Sequence, residues 1–282
     1  MPKTYRFLIV DVFTDTPLAG NQLAVFTNAT GMTGEQMQAL AREINFSETT
    51  FVLPAEQGGD IRMRIFTPAR ELPFAGHPTL GTAFAIAGPL QSTVMRIETG
   101  MGVVPVALER EGARIVFGSM QQPIPTWRPF DDADELLTAL GVSASQLPVE
   151  VYDNGVQHIY VMLPSFADVA GLHPDFDRLE VVAGEAGVNC FALEDGRVKT
   201  RMFFTDIGMV EDAATGSAAG PLSVHLARHG LVEWGAEVVI SQGAEMGRPS
   251  TLYARADGSA ETIDAVSVGG SAVVVAKGEF QV

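Results

Sequence analysis

The chain has 282 residues, 46% of them hydrophobic and 18% charged, the balance of a folded protein with room for one large domain or two ordinary ones. Its formal net charge of −16 repels phosphate backbones and argues against nucleic-acid binding, and no apolar run is long enough to cross a bilayer. Met1 to Arg6 leads straight into a strand-like run with no apolar signal segment, and the single cysteine, Cys190, permits no intrachain disulfide, so a reducing cytoplasm is the expected setting.

The first half reads as short strands with few helices. Tyr5 to Phe13 and Leu23 to Phe26 are rich in β-formers, and Thr16 to Asn21 between them is turn chemistry. Thr33 and Gln36 form a capping box, after which Met37, Leu40, Ala41 and Ile44 recur at helical spacing. Phe46 to Leu53 and Ile61 to Phe66 read as strands, and Thr67 to Pro73 as a loop. From Pro78 to about Ala87 the residues are small, apolar and uncharged, which predicts a helix buried on nearly all sides and ended by Gly88-Pro89. Three β-like runs follow: Thr93 to Glu98, Val103 to Glu109 and Arg114 to Phe117.

Gln121 to Pro129 holds three prolines and reads as a linker, the best candidate boundary between a domain of residues 1–120 and one of 130–270. The second half opens with a capped helix, Asp131 to Leu140. Strands are then expected at Val156 to Leu163, Val188 to Leu193 and Lys199 to Phe204, with a helix at Phe176 to Ala186. A second small-residue helix runs from about Ser217 to His229 and stops at Gly230. Glu237 to Ile240, Leu252 to Ala256 and Ala265 to Ala276 complete the strands, with the end of the chain returning to the first domain.

The two halves repeat one pattern. Arg64-Ile65-Phe66 matches Arg201-Met202-Phe203, and each is followed by a loop to a glutamate, Glu71 or Glu211, the second loop being the longer. A glycine follows, Gly76 or Gly216, then a polar residue, His77 or Ser217, then the small-residue helix. The repeat implies two related α/β domains whose glycine-led helix starts point at one interdomain cleft. Helix starts carry unpaired N–H groups and a positive dipole end, so they suit a carboxylate or a developing enolate and can hold an anion that the net charge repels.

Several residues are candidates for chemistry. Glu48 lies among aromatic, β-branched and hydroxyl residues. Partial burial there would raise its pKa toward neutrality, although the spacing also fits a strand-edge acid facing water. His77 reads as a proton shuttle, a helix cap or a core histidine. Asp212 reads as an acid/base group or a dipole partner, and Ser217 as a cap or a ligand contact. Of five histidines only His225 and His229 stand at helical i, i+4 spacing, and no glutamate follows His225, so no metal site is expected. Gly216 to Gly220 lacks the lysine of a phosphate loop, and there is no Gly-x-Ser-x-Gly elbow.

Phe66-Thr67-Pro68 with Glu71-Leu72-Pro73-Phe74-Ala75-Gly76-His77-Pro78 resembles the PhzF-like phenazine-biosynthesis isomerases. So do Ser47-Glu48-Thr49, Gly155-Val156-Gln157-His158, Glu211-Asp212 with Thr215-Gly216-Ser217, and Gln242-Gly243 with Met246 to Ser250. The resemblance spans nearly the whole chain. It implies a diaminopimelate-epimerase-like α+β fold: two pseudo-symmetric domains, each a barrel-like, mostly antiparallel sheet around a central helix. It also implies a proton-transferring Glu48, a supporting Asp212, His77 and Ser217 at the substrate, and backbone donors at Gly76 and Gly216. No cofactor, a small-molecule substrate and a homodimer are expected. Gln22 and Ala213 stand where proline is frequent in the family. A two-thiol racemase, which shares the fold, needs a cysteine on each side of its substrate, and one cysteine cannot supply that. The reading from another class is a binding protein that keeps the cleft without catalysis.

Overall fold

The computed structural model describes residues 3–205 and 210–282, so part of the longer loop before Glu211 lies outside the described residues. The chain divides into two compact units, Met1–Gln121 with Gly269–Val282, and Gln122–Val268. The architecture is mixed α+β and sheet-dominated, and the sheet does not close on itself.

The first unit contains β1 (Thr4–Val12), β2 (Asn21–Phe26), α1 (Gly34–Ile44), β3 (Glu48–Leu53), β4 (Ile61–Phe66), β5 (Glu71–Leu72), α2 (Gly76–Ala87), β6 (Val94–Thr99), β7 (Gly102–Glu111) and β8 (Arg114–Gln122). The strand Ala272–Gln281 pairs antiparallel with β1. From there the order is β1–β2–β3–β4–β6–β7–β8, with parallel steps at β2–β3 and β4–β6 and antiparallel steps elsewhere. The Thr33 capping box forms as expected, with Thr33 Oγ1 accepting from Gln36 N at 3.2 Å and Gln36 Oε1 from Thr33 N at 3.0 Å. Met37, Leu40 and Ala41 then pack on Phe26, Phe51 and Phe66. Helix α2 has no polar face and is stable only if surrounded. It lies against β1, β2, β3, β6, β7 and the terminal strand. At Gly81 a Cβ would meet Val12 Cγ2 at 2.6 Å and Leu23 Cδ2 at 2.7 Å, so the helix backbone itself touches the sheet.

The second unit contains β9 (Thr126–Pro129), α3 (Ala133–Leu140), β10 (Glu150–Asp153), β11 (Gln157–Met162), α4 (Phe166–Ala170), α5 (Phe176–Ala183), β12 (Gly187–Glu194), β13 (Arg197–Phe203), β14 (Glu211–Asp212), α6 (Gly216–Arg228), β15 (Glu237–Gln242), β16 (Ser250–Gly258) and β17 (Ile263–Gly270). Its order, β9–β10–β11–β12–β13–β15–β16, has parallel steps at β11–β12 and β13–β15, matching the first unit step for step. In α6 every residue from Ala218 to Ala227 is buried.

Four expectations need correction. The segment read as a linker contains a strand, β9, paired with β10, because Pro123 and Pro125 fall between strands and Pro129 sits at a strand end, where a missing N–H is tolerated. The long terminal run is two strands, broken after Gly270. Helix α3 starts at Asp132 as its N-cap, but no side chain caps it. The helix read to Ala186 stops at Ala183, because Gly184 takes φ 57.

The repeat is visible in side chains. Arg64 grips Glu71 through Nε and Nη2, both at 2.6 Å, and Arg201 grips Glu211 in the same way at 2.8 Å. Each guanidinium also lies 5.0 Å over the ring two residues on, Phe66 or Phe203. Strand register extends the match. Thr49 pairs with Phe66 and Val188 with Phe203, so Glu48 and Gly187 occupy one repeat position. Ile65 pairs with Leu72 and Met202 with Asp212, so Leu72 and Asp212 occupy another.

The two pairs differ in burial. The Arg201 side chain is 10% exposed and also donates to the Leu172 carbonyl at 2.7 Å, whereas that of Arg64 is 31% exposed. Arg201→Met strands a buried Glu211 and should cost roughly 3–5 kcal/mol. Arg64→Met should cost at most about 1 kcal/mol. Urea unfolding of both variants checks this, and equal losses would contradict it.

Candidate active site

Glu48 owes its place to the end of α1. Asn45 takes a left-handed conformation (φ 56) and caps the helix through its N–H to the Ala41 carbonyl. The chain turns there and delivers Glu48 as the first residue of β3. Its side chain is 14% exposed, and burial pushes the carboxyl up to about 7, opposed by the neighbouring Ser47 hydroxyl. His77, the second residue of α2, is 4% exposed, and its Nε2 lies 3.5 Å from Glu48 Oε2. Its Nδ1 lies 3.5 Å from Asn21 Nδ2, and Asn21 Oδ1 accepts from Ser47 Oγ at 3.2 Å. Glu48 and His77 therefore come together. Asn21, read in the sequence only as turn chemistry, joins them.

In the second unit Asp212 lies in β14, 7% exposed, and its Oδ2 accepts from Thr215 Oγ1 at 2.6 Å. Gln242 clamps this loop: its Nε2 donates to the Asp212 carbonyl at 2.8 Å, and its Oε1 accepts from Thr215 N at 3.1 Å. Thr215, not Ser217, is the N-cap residue of α6. Ser217 Oγ instead lies 3.1 Å from His158 Nε2. His158 is fully buried, and desolvation drops its pKa to about 3, so it meets Ser217 as a neutral ring. Gln122 and Asn154 donate to the carbonyls of Gly216 and Ser217 at 2.8 and 2.9 Å. Neither amide stands out in the sequence, since each lies in an ordinary polar stretch.

Helices α1, α4 and α5 are capped by the side chains of Thr33, Ser165 and Asp175. The two central helices, α2 and α6, have no side-chain cap bond. Their first turns begin at Gly76 and Gly216, and neither N-cap side chain takes up an N–H there.

Comparison with known proteins identifies the family. A family model described as phenazine biosynthesis-like protein, PhzC-PhzF, matches residues 10–278. The chain belongs to the PhzF-like phenazine-biosynthesis family. It is 50% identical over 274 residues to the trans-2,3-dihydro-3-hydroxyanthranilate isomerase of Pseudomonas aeruginosa, covering 97% of this chain and 98% of that one. The Pseudomonas chlororaphis isomerase of the same name is 48% identical with the same coverage. A Bacillus anthracis phenazine biosynthesis protein of the PhzF family superposes with a TM-score of 0.88 at 27% identity, over 99% of this chain and 100% of that one. A hydroxyproline epimerase from Agrobacterium vitis, 13% identical over 100% of this chain and 94% of that one, shares the fold with a TM-score of 0.70. This PhzF-like chain is an enzyme of the isomerase class with an epimerase-like fold. Among its described residues no helix is long and apolar enough to cross a membrane.

Two other groups in this PhzF-like chain draw attention. The ligand atoms of Glu150, His225 and His229 lie within 4.8 Å of one another, a grouping that only the histidine spacing hinted at. Glu150 Oε2, however, already accepts from Arg228 Nη1 at 2.9 Å, Tyr152 OH at 3.1 Å and both histidines at 3.2 Å. Desolvation works against this carboxylate, but those partners outweigh it and hold its pKa below the usual range. Arg228 thus supplies the positive charge a metal ion would bring, and the donor set fits an internal ion-pair knot. Cys190 in β12 is fully buried, and burial pushes its thiol up, so it offers no thiolate.

The raised pKa of Glu48 has a stability consequence. The fold disfavours its charged form, so its contribution to stability is intact below the unfolded value of 4.5 and is lost as pH rises through about 7. Glu48→Gln removes that loss. The variant should match the parent at pH 4 and exceed it at pH 8, by on the order of 3 kcal/mol at most. Urea unfolding at both pH values checks the sign, and a less stable variant at pH 8 would refute the argument.

Proposed function

We propose that the chain isomerises trans-2,3-dihydro-3-hydroxyanthranilate, or a close cyclic carboxylated analogue, with Glu48 moving the proton. The observation that carries this is the carboxyl of Glu48, buried enough to titrate at about 7 and facing His77 at 3.5 Å. Near neutral pH such a group is a competent base when ionised and a competent acid once protonated. The carboxylate takes a proton from one ring carbon, the electron pair spreads through the conjugated system, and the carboxylic acid returns the proton to another ring carbon. The formula of the molecule is unchanged, so the step needs no oxidant or reductant.

The repeat supports a single proton carrier. The position equivalent to Glu48 in the second unit is Gly187, which has no side chain to act as an opposing base. Asp212, held by Thr215 and Gln242 in the second unit, is the candidate supporting acid, and His77, 3.5 Å from Glu48 in the first, the candidate that adjusts its protonation. Within the first unit the helix start at Gly76, and within the second the helix start at Gly216 with the Ser217 hydroxyl, are each candidates for holding a carboxylate or polar substituent of a substrate. The same reading has the enzyme working as a cytoplasmic homodimer, which light scattering on the purified protein tests.

The deciding experiment is turnover of the dihydro-hydroxyanthranilate in deuterated water, followed by NMR and mass. The parent should incorporate deuterium into product, and Glu48→Gln should lose roughly 10²–10⁴-fold in kcat. If one group both removes and returns the proton, substrate deuterated at the reacting carbon should carry part of its label into product. Undiminished turnover by Glu48→Gln would remove Glu48 from the chemistry. Binding by the parent without any exchange would make the protein a binder.

A further inference from the structure

Ser47, Asn21, His77 and Glu48 form one polar string inside the first unit. Its anchor is the turn before β2. Gly20 has φ +68, and a Cβ there would meet the Val12 carbonyl oxygen at 2.4 Å, so the turn admits only glycine and fixes where Asn21 begins the strand. Asn21 is 4% exposed. Its Oδ1 accepts from Ser47 Oγ at 3.2 Å, and its Nδ2 faces His77 Nδ1 at 3.5 Å. The other ring nitrogen, Nε2, faces Glu48 Oε2 at 3.5 Å. These last separations are long for hydrogen bonds, as catalytic contacts are before substrate tightens them.

An amide has one accepting end and one donating end, and a neutral imidazole carries one proton on one of two nitrogens. With the Ser47 hydroxyl on Oδ1, the amide offers N–H to the ring. A ring nitrogen that receives an N–H cannot carry the proton itself. We infer that Asn21 is a positioning residue that holds His77 in its Nε2–H tautomer, so that the imidazole proton is aimed at Glu48. The inference rests on the reading of Glu48 as the proton carrier.

The consequence for the chemistry is specific. A neutral N–H donor stabilises the ionised carboxylate of Glu48 modestly and offsets part of its burial. An imidazolium in the same place would stabilise it far more strongly and leave a weaker base. The opposite tautomer would present a bare nitrogen to a carboxylate, two acceptors in contact. Asn21 excludes both arrangements because its donor end neither accepts the Nδ1 proton nor carries a charge that would call for an imidazolium. In the second unit, among the described residues, the ring at the helix start is His158, which meets Ser217 through Nε2.

The test is the protonation pattern of the five histidines in ¹⁵N-histidine-labelled full-length protein at pH 8, with His77 assigned by its disappearance in His77→Asn. The parent should show His77 with Nδ1 bare and Nε2 protonated. Asn21→Asp, nearly identical in shape but accepting at both oxygens, should move a proton to Nδ1. It should also lower kcat by at least about tenfold while KM changes by less than about threefold, the mark of an interaction that matters in the transition state. If Asn21→Asp fails to fold, Ser47→Ala provides the second arm: it removes the hydroxyl that holds Asn21 Oδ1 and should give a mixture of His77 tautomers. A parent protonated at Nδ1, or a His77 pattern unchanged in both Asn21→Asp and Ser47→Ala, overturns the inference. The tautomer is read without turnover. A failure of Glu48 as base therefore appears as activity retained in Glu48→Gln with the His77 pattern intact, and is distinguishable from failure here.

Discussion

Burial of two helices that have no polar face is the constraint on which the rest of the structure depends. A helix such as Gly76–Ala87 cannot sit on the surface of a sheet with one side in water, because it has no side fit for water. The chain must therefore surround it, and only a sheet of many short strands can bend far enough to do so. The cost of such a buried helix lies at its ends, where four N–H groups have no partner within the helix. Helices α1, α4 and α5 meet part of that cost with the side chains of Thr33, Ser165 and Asp175, while α3 has no side-chain cap bond. The two central helices have no side-chain cap bond either, and each begins with glycine, the residue that allows the closest approach to a backbone.

The repeat separates what is structural from what is chemical. The arginine–glutamate clamps, the cation–ring contacts and the pattern of parallel and antiparallel steps are common to both units. The acids are not. Glu48 stands where the other unit has Gly187, and Asp212 where the other has Leu72. Two copies of a scaffold have kept the interactions that hold a strand pair to a helix start and diverged at these two acidic positions. A carboxyl raised to about 7 by burial covers the pH range usually reached by thiols and imidazoles, whereas the one cysteine is buried and its thiol pushed up.

Much of this was legible in the sequence, for identifiable reasons. The two small-residue helices, the capping box at Thr33 and the Arg-x-Phe repeat are local patterns, and local patterns survive without knowledge of the fold. The strand at Thr126–Pro129 was not legible, because proline density signals a linker and only pairing with β10 shows that these prolines avoid the ladder. The left-handed Gly184, which cuts α5 short, follows an alanine at good helical spacing and gives no warning. Among the candidate residues Glu48 and His77 were named from motif and environment. Asn21, Gln122 and Asn154 were missed because their importance lies in which way an amide faces across a distance of many residues, and no spacing rule encodes that.

Four amides fix polar groups beside the acids and helix starts of this acidic chain. Gln122 and Asn154 donate to the first carbonyls of α6, Gln242 grips both sides of the Asp212–Thr215 loop, and Asn21 stands between Ser47 and His77. Each is uncharged, so none alters the net charge or draws a counter-ion, yet each has a fixed donor end and a fixed acceptor end. An arginine in any of these places would pin a carboxylate in its ionised form and make it a poor base, as Arg228 does for Glu150. Neutral amides set direction without setting protonation. For a carboxyl that must gain and lose a proton in every cycle, that distinction decides whether burial yields a catalyst or only a buried ion pair.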